Sequence, residues 1–171
     1  MRALAIALFL ACGLNLSGAH ALEYGTREEA VAMVKRVQEM FAREGAEATF
    51  RAVSDRTYAP FHDRDLYPFV YDLNGVNVAH GARPSLIGKN LYNLKDQDGV
   101  YLIQDMIKSA KINHAGWVLY KWPNSLTNQI EDKLSYFELM GDYFVGVGVS
   151  VRANGGANGL VNGAAPASGR K

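Results

Sequence analysis

The chain has 171 residues, and its 18 lysines and arginines nearly balance its 17 aspartates and glutamates, which gives a formal net charge of +1. This balance provides no electrostatic case for binding nucleic acid or an anionic membrane surface. Cys12 is the only cysteine, so no intramolecular disulfide can form and the hydrophobic core must supply the stability.

Residues 1–21 have the pattern of a secretory signal peptide. Arg2 supplies a short positive start, and residues 3–14 form an apolar run that is too short to span a bilayer comfortably. Small residues stand at positions 19 and 21, where a signal peptidase reads the chain. We therefore expect cleavage after Ala21 and a periplasmic or secreted domain of about 150 residues, an ordinary size for one domain.

Cys12 leaves a second interpretation of this segment open. The sequence Leu-Ala-Cys at residues 10–12 would place a lipid on this cysteine and make the exported protein a lipoprotein. Phe9 is an unfavourable residue at the start of such a box, so we favour the free form. No later apolar run is long enough to cross a membrane, so the mature chain is expected to lack a membrane span.

Two helices are predicted at the start of the mature chain. Thr26 and Glu29 form a capping box, and apolar residues follow at helical spacing until Gly45 ends the run. A second, shorter helix is expected over residues 46–54.

A β-hairpin is predicted over residues 66–81. The dipeptide Asn74-Gly75 favours a two-residue type I′ turn, in which both central residues have positive φ. The resulting register puts six side chains on one face in three pairs, Leu73 with Val76, Tyr71 with Val78, and Phe69 with His80. An apolar floor with one polar group at its rim suits a small-molecule pocket, and a packed sheet face with a rim histidine is the alternative.

A third helix and three strands complete the predicted domain. Apolar residues at helical spacing predict the helix from near Asp98 to a point before Gly116. The strands are expected over residues 117–122, 133–139 and 143–151. Five strands in two sequential groups favour an α+β fold, with one antiparallel sheet covered by helices.

The last predicted strand has Gly146 and Gly148 on one face, which leaves room for a helix or a ligand close to the backbone. After Val151 the chain becomes rich in Gly, Ala and Asn and has few large apolar residues to bury. We therefore expect one domain over residues 22–151 and a flexible tail over residues 152–171.

Five segments in this order resemble the single Cache domain family, a group of extracellular PAS-like sensor domains. The segments are FHDRDLYPFVYDLNG at 61–75, LIGKNL at 86–91, GWVLYKWPN at 116–124, KLSY at 133–136 and GDYFVGVG at 141–148.

The resemblance implies a helix-backed, five-stranded PAS-like sheet whose concave face binds a small ligand, often a short organic acid. Such domains usually belong to chemoreceptors and histidine kinases. We expect this chain to have neither a membrane-spanning anchor nor a signalling domain and therefore to act with a separate membrane receptor or a transporter.

If the pocket of that family is present, we expect eight residues to bind the ligand: Phe69, Tyr71, His80, Trp117, Tyr120, Trp122, Lys133 and Tyr136. Aromatic walls would bury the carbon skeleton, and a cation would offset a carboxylate. Lys133 is the first candidate for that cation and His80 the second. Strand alternation predicts that Trp117 faces away from Tyr120 and Trp122 unless a bulge intervenes, and an ordinary sheet core is the alternative for each aromatic residue.

The sequence contains no sign of catalytic, metal or cofactor chemistry. His62, His80 and His114 are the histidines after residue 21, and no pair of them has metal-ligand spacing on one element. A nucleophile elbow is also missing. We therefore expect a sensor or binding domain for a short carboxylate rather than an enzyme. The alternatives are a small exported enzyme that uses the same pocket and an interaction protein whose pocket is filled by its own side chains.

The signal-peptide pattern generates the first prediction. Protein isolated from the exported fraction should begin at Leu22, because the small residues at positions 19 and 21 direct cleavage after Ala21. N-terminal sequencing checks this. A start at a lipid-modified Cys12, or an intact Met1, would contradict it.

Overall fold

The computed structural model, described over residues 24–151, contains two helices and a five-stranded antiparallel sheet in that part of the chain. In chain order the elements are α1 (Arg27–Ser54), β1 (Pro68–Asp72), β2 (Asn77–His80), α2 (Leu102–Asn113), β3 (Ala115–Pro123), β4 (Ile130–Met140) and β5 (Tyr143–Val151). Short 3-10 turns lie at Ala59–Phe61 and Pro84–Leu86. The strand order is β2-β1-β5-β4-β3, which confirms the predicted α+β, PAS-like sheet.

Two predictions concern residues outside the described part of the chain, namely the signal peptide at 1–21 and the tail at 152–171. Within residues 24–151, neither α-helix is long and apolar enough to cross a membrane.

Helix α1 begins with the predicted capping box. The Thr26 hydroxyl accepts a hydrogen bond from the Glu29 amide at 3.2 Å, and the Glu29 carboxylate accepts one from the Thr26 amide at 2.7 Å. Gly45 leaves the helical conformation with φ 79° and ψ 178°, and the helix resumes directly after it. The two predicted helices are therefore one element with a kink at Gly45.

The two helices cover opposite faces of the sheet. Helix α1 packs on the face that carries Val145, Val147 and Val149 of β5. Helix α2 packs on the other face, where its Ile103 and Met106 meet aromatic residues of the strands. Because strand side chains alternate, β5 contributes to both cores.

Gly146 and Gly148 of β5 lie on the α2 face, and the space above them is filled by side chains of the neighbouring strands. A Cβ atom at position 146 would overlap the ring of Phe69, and one at position 148 would overlap the side chains of Lys133 and Ser135. The room that the sequence predicted for a helix or a ligand is therefore occupied by Phe69 and Lys133.

The turn between β1 and β2 differs from the prediction. Only Gly75 has positive φ (88°), and Asn74 does not. The Gly75 amide donates to the Asp72 carbonyl, and the Asp72 carboxylate accepts from the amides of Asn74 and Val76 at 2.9 and 2.8 Å. This is a three-residue loop with a left-handed glycine rather than a two-residue type I′ turn.

The longer loop changes the pairing near the turn. Tyr71 pairs with Asn77 instead of Val78, and a bulge between Val70 and Tyr71 then restores the predicted pairing of Phe69 with His80. The bulge turns Val78 toward the α1 face. The prediction that all six hairpin side chains share one face is therefore wrong.

A loop with the same hydrogen bonds precedes α2. The Asp96 carboxylate accepts from the amides of Asp98 and Val100, and Gly99 has φ 83°. Asp98 therefore belongs to this loop, and α2 begins at Leu102 rather than near Asp98. Both loops have the sequence Asp-X-Asn/Asp-Gly-Val, at residues 72–76 and 96–100.

The contact between Gly146 and Phe69 generates a prediction about stability. Replacing Gly146 with Ala should lower the free energy of unfolding by about 1–3 kcal/mol, because the added methyl group overpacks the ring. The cost should be smaller in a Phe69→Leu background, where the ring is absent. Urea unfolding of the four proteins checks this, and an equal cost in the two backgrounds would show that Phe69 does not limit the space.

Candidate functional site

A small central cavity lies between α2 and the sheet. Its volume is about 10 Å³, about the room that one water molecule needs. Its walls come from β1, β2, β3 and α2 and the residue before β1. The lining residues are Tyr67, Phe69, Tyr71, His80, Leu102, Ile103, Met106, Tyr120 and Trp122.

The structure brings five of the eight predicted ligand-binding residues to this cavity: Phe69, Tyr71, His80, Tyr120 and Trp122. Alternation along β1 and β3 explains the set, since Phe69 and Tyr71 are two residues apart, as are Tyr120 and Trp122. His80 joins them because it pairs with Phe69 across the hairpin.

His80 is a buried neutral imidazole. The residue is 2% exposed. Its Nδ1 atom accepts hydrogen bonds from the amides of Ala82 and Arg83 at 3.2 and 3.0 Å. Two donors to Nδ1 place the ring proton on Nε2. Burial, with a smaller effect of the charges on Lys133 and Arg83, lowers the pKa of His80 to about 3. His80 is therefore a hydrogen-bond donor at neutral pH and does not supply a cation.

Two tyrosines give the cavity further polar groups. The Tyr120 hydroxyl lies 2.8 Å from the Ser135 hydroxyl, and both are buried. Burial raises the pKa of Tyr71 and of Tyr120 above the usual tyrosine range. Their hydroxyl groups therefore stay protonated at neutral pH and can donate hydrogen bonds.

Lys133 lies beside the cavity without lining it. The residue is 2% exposed, and its ammonium group is 3.4 Å from the Tyr67 hydroxyl and 4.4 Å from the centre of the Tyr67 ring. The Tyr67 side chain also lines the cavity, so it contacts Lys133 and faces the cavity at the same time. Among residues 24–151, no acidic side chain forms an ion pair with Lys133.

Trp117 and Tyr136 lie on the opposite face of the sheet, which corrects their predicted place in the pocket. Their rings are 5.2 Å apart, and they pack against the α1 core. The Arg27 guanidinium sits over Trp117, and the Tyr136 hydroxyl donates to Glu138 at 3.0 Å. No bulge interrupts β3, so Trp117 faces away from Tyr120 and Trp122 as alternation requires.

Tyr67 is the aromatic lining residue that the sequence analysis missed. It stands two positions before Phe69, so continuing the alternation of β1 by one step would have found it. Leu102, Ile103 and Met106 were also missed, because periodicity identifies the buried face of a helix but does not say which sheet face it covers.

The cavity walls combine apolar surface with groups that can donate hydrogen bonds. Aromatic and aliphatic walls bury carbon, and the His80 imidazole and the tyrosine hydroxyls donate hydrogen bonds. In the part of the chain that the structure describes, no group of three or more His, Cys, Asp or Glu residues is placed to hold a metal ion.

Comparisons with known proteins agree with this geometry. A family model described as a Cache domain matches residues 27–154. The sensor histidine kinase MctS of Rhizobium johnstonii is 37% identical over 90 residues, which are 53% of this chain and 19% of that protein. The chain thus spans about a fifth of the length of the curated relatives it matches.

Solved structures share the fold. A methyl-accepting chemotaxis protein from Vibrio parahaemolyticus superimposes with a TM-score of 0.62 and 28% identity, over 72% of this chain and 86% of that one. A Cache chemosensory domain studied for carboxylic acid recognition superimposes with a TM-score of 0.58 and 23% identity, over 73% of this chain and 88% of that one.

The buried imidazole generates a prediction about pH. The pKa of His80 falls from its ordinary 6.5 to about 3 on folding, so between these values the unfolded chain binds a proton that the folded one does not. The contribution of His80 to stability is complete above pH 6.5 and is lost as the pH falls, by up to about 1.4 kcal/mol per pH unit. A His80→Asn variant, whose amide oxygen can still accept the backbone hydrogen bonds, should therefore lose less stability between pH 6.5 and 4 than the wild type.

Urea unfolding across that pH range checks the difference. His114→Asn is the matched control, because His114 is exposed and has φ 64°, a conformation that asparagine tolerates. This control should follow the wild type. If the free energy of unfolding fell equally in the wild type and in His80→Asn between pH 6.5 and 4, this would contradict a neutral, buried His80.

Proposed function

Because this chain belongs to the Cache domain family, we propose that it is an exported sensor domain that binds a short carboxylate in the central cavity. Its relatives include a sensor histidine kinase and a chemotaxis receptor, which supports ligand sensing over catalysis. The ligand is bound and released unchanged. The occupied domain acts on a separate membrane receptor or a transporter, and the predicted signal peptide delivers it to the same compartment.

The burial of Lys133 is the observation that carries the carboxylate proposal. A buried charge is costly unless it is paired, and Tyr67 offers the ammonium group only a hydroxyl and a ring face. A ligand carboxylate would supply the missing negative charge. The His80 ring lies 5.4 Å from the Tyr67 ring, so the Nε2–H group of His80 and the Tyr67 hydroxyl are candidate hydrogen-bond donors to that carboxylate.

One solved neighbour with the same fold is a domain studied with carboxylic acids. The Cache chemosensory domain with a TM-score of 0.58 was studied for its recognition of carboxylic acids. Its low sequence identity carries over the architecture only, so the argument for this chain depends on its own Lys133, Tyr67 and His80.

The small volume of the cavity sets a condition on binding. A space of about 10 Å³ holds one water molecule and is smaller than a two-carbon acid. Ligand entry therefore requires α2 or the aromatic walls to move apart.

The small volume of the cavity also favours a second candidate function, an interaction protein whose cavity is filled by its own side chains.

Thermal unfolding with a carboxylate panel separates the two candidates. We expect at least one of acetate, propionate, lactate, pyruvate and succinate to stabilise the mature protein. At about 100 times the dissociation constant the gain is roughly 2.7 kcal/mol, a melting shift on the order of 10 °C for a domain of this size. No shift with any compound would favour the self-filled cavity, and chemical conversion of the stabilising compound would favour an enzyme.

Calorimetry on Lys133→Met tests the counter-charge. Methionine keeps the aliphatic stem against Gly148 and removes the charge, so the variant should fold. Its affinity for the stabilising compound should fall by about 2–5 kcal/mol, as for one half of a buried charge pair. Lys89→Met makes the same charge change at an exposed position and should bind like the wild type. Equal affinity in Lys133→Met and the wild type would remove Lys133 from the site.

A further inference from the structure

The two edges of the sheet meet at one end of the central cavity. Strands β2 and β3 are the outermost strands in the order β2-β1-β5-β4-β3. Arg83 follows β2 by three residues and Trp122 lies in β3, yet the Arg83 guanidinium lies 5.7 Å from the centre of the Trp122 ring. The sheet is therefore curved enough for one cation–π contact to join its opposite edges.

The charge of Arg83 is directed to this contact. Among residues 24–151, no acidic side chain forms an ion pair with Arg83, and the Trp122 ring is its described side-chain contact. Both residues are only partly exposed. A guanidinium held over the face of an aromatic ring that lines a cavity can hold that ring in place.

Both partners are connected directly to the cavity walls. Trp122 lines the cavity and makes an edge contact with the ring of Tyr120, at 6.0 Å. On the other side, the amides of Ala82 and Arg83 donate to Nδ1 of His80, which also lines the cavity. Opening the contact between Arg83 and Trp122 would thus free Trp122, which is a wall residue. It would also free the Ala82–Arg83 segment, which is hydrogen-bonded to the wall residue His80.

We propose that Arg83 and Trp122 form a latch that closes the central cavity, and that a ligand enters and leaves while this latch is open. The proposal rests on the proposed function of the cavity as a ligand site.

A latch that is closed with and without ligand controls the rates of binding in both directions. Weakening it should raise the association and the dissociation rate together and change the affinity less than either rate. In Arg83→Gln we expect each rate to rise about two- to fivefold, the range that corresponds to one cation–π contact at a partly exposed site.

The first experiment needs no ligand. The chain has two tryptophans, so a Trp117→Phe background leaves Trp122 as the single fluorophore. Acrylamide should quench Trp122 more strongly in Arg83→Gln than in the parent protein. Arg56→Gln removes the same charge from an exposed position on another loop and should leave quenching unchanged. Arg83→Lys keeps the charge but loses the planar guanidinium, so its quenching should lie between that of the parent protein and that of Arg83→Gln.

The second experiment measures the rates by stopped-flow fluorescence of Trp122 with acetate as the probe. Parallel increases in both rates, with stronger quenching, support the latch. Unchanged quenching together with unchanged rates overturns it. Unchanged quenching with slower association alone also overturns it, because Arg83 would then only attract the anion. Stronger quenching in a protein that binds none of the five carboxylates supports the latch and counts against the carboxylate proposal instead.

Discussion

The missing side chains at Gly146 and Gly148 decide what the α2 face of this sheet can hold. Strand β5 lies at the centre of the sheet, and its two glycines let the Phe69 ring and the Lys133 side chain lie flat against the backbone. Without this space, neither side chain could be buried where it is. The position of His80 depends on the same space, because its ring stacks on Phe69 at 6.3 Å. One pair of glycines thus sets both the aromatic floor of the cavity and the place of its nearest cation.

Burial gives the two basic groups of the site opposite roles. The histidine gives up its charge, because losing a proton costs an imidazole less than desolvating the cation would. The lysine is held by a tyrosine that offers a hydroxyl and a ring face but no negative charge. The site therefore combines a neutral donor, His80, with a cation beside it, Lys133. Such a combination suits a single carboxylate, for which one counter-charge and additional hydrogen bonds suffice.

Much of this architecture follows from local sequence patterns, and the errors have two sources: side chains just outside the motif considered, and packing between distant elements. The capping box and the bounds of β5 depend on neighbouring residues, and the sequence predicts them; it also predicts that Gly45 interrupts the helix, although the two parts form one kinked helix. The hairpin turn was mistaken because the Asp72 side chain, outside the Asn-Gly dipeptide, determines the loop. Alternation predicts that Trp117 and Tyr120 face opposite ways, but not which of the two faces α2. The size of the cavity depends on how closely α2 docks on the sheet, which no pattern in a single sequence encodes.

The strand order also has a consequence for how the domain assembles. Strand β1 carries Phe69 and Tyr71, and one of its two neighbours is β5, the last element of the described chain. The hairpin of β1 and β2 can close early because it is local, whereas the other edge of β1 stays open until β5 has been synthesised. Open apolar edges pair readily with other chains. Damage to β5 should therefore show first as aggregation of the nascent protein, before any change in ligand affinity can be measured.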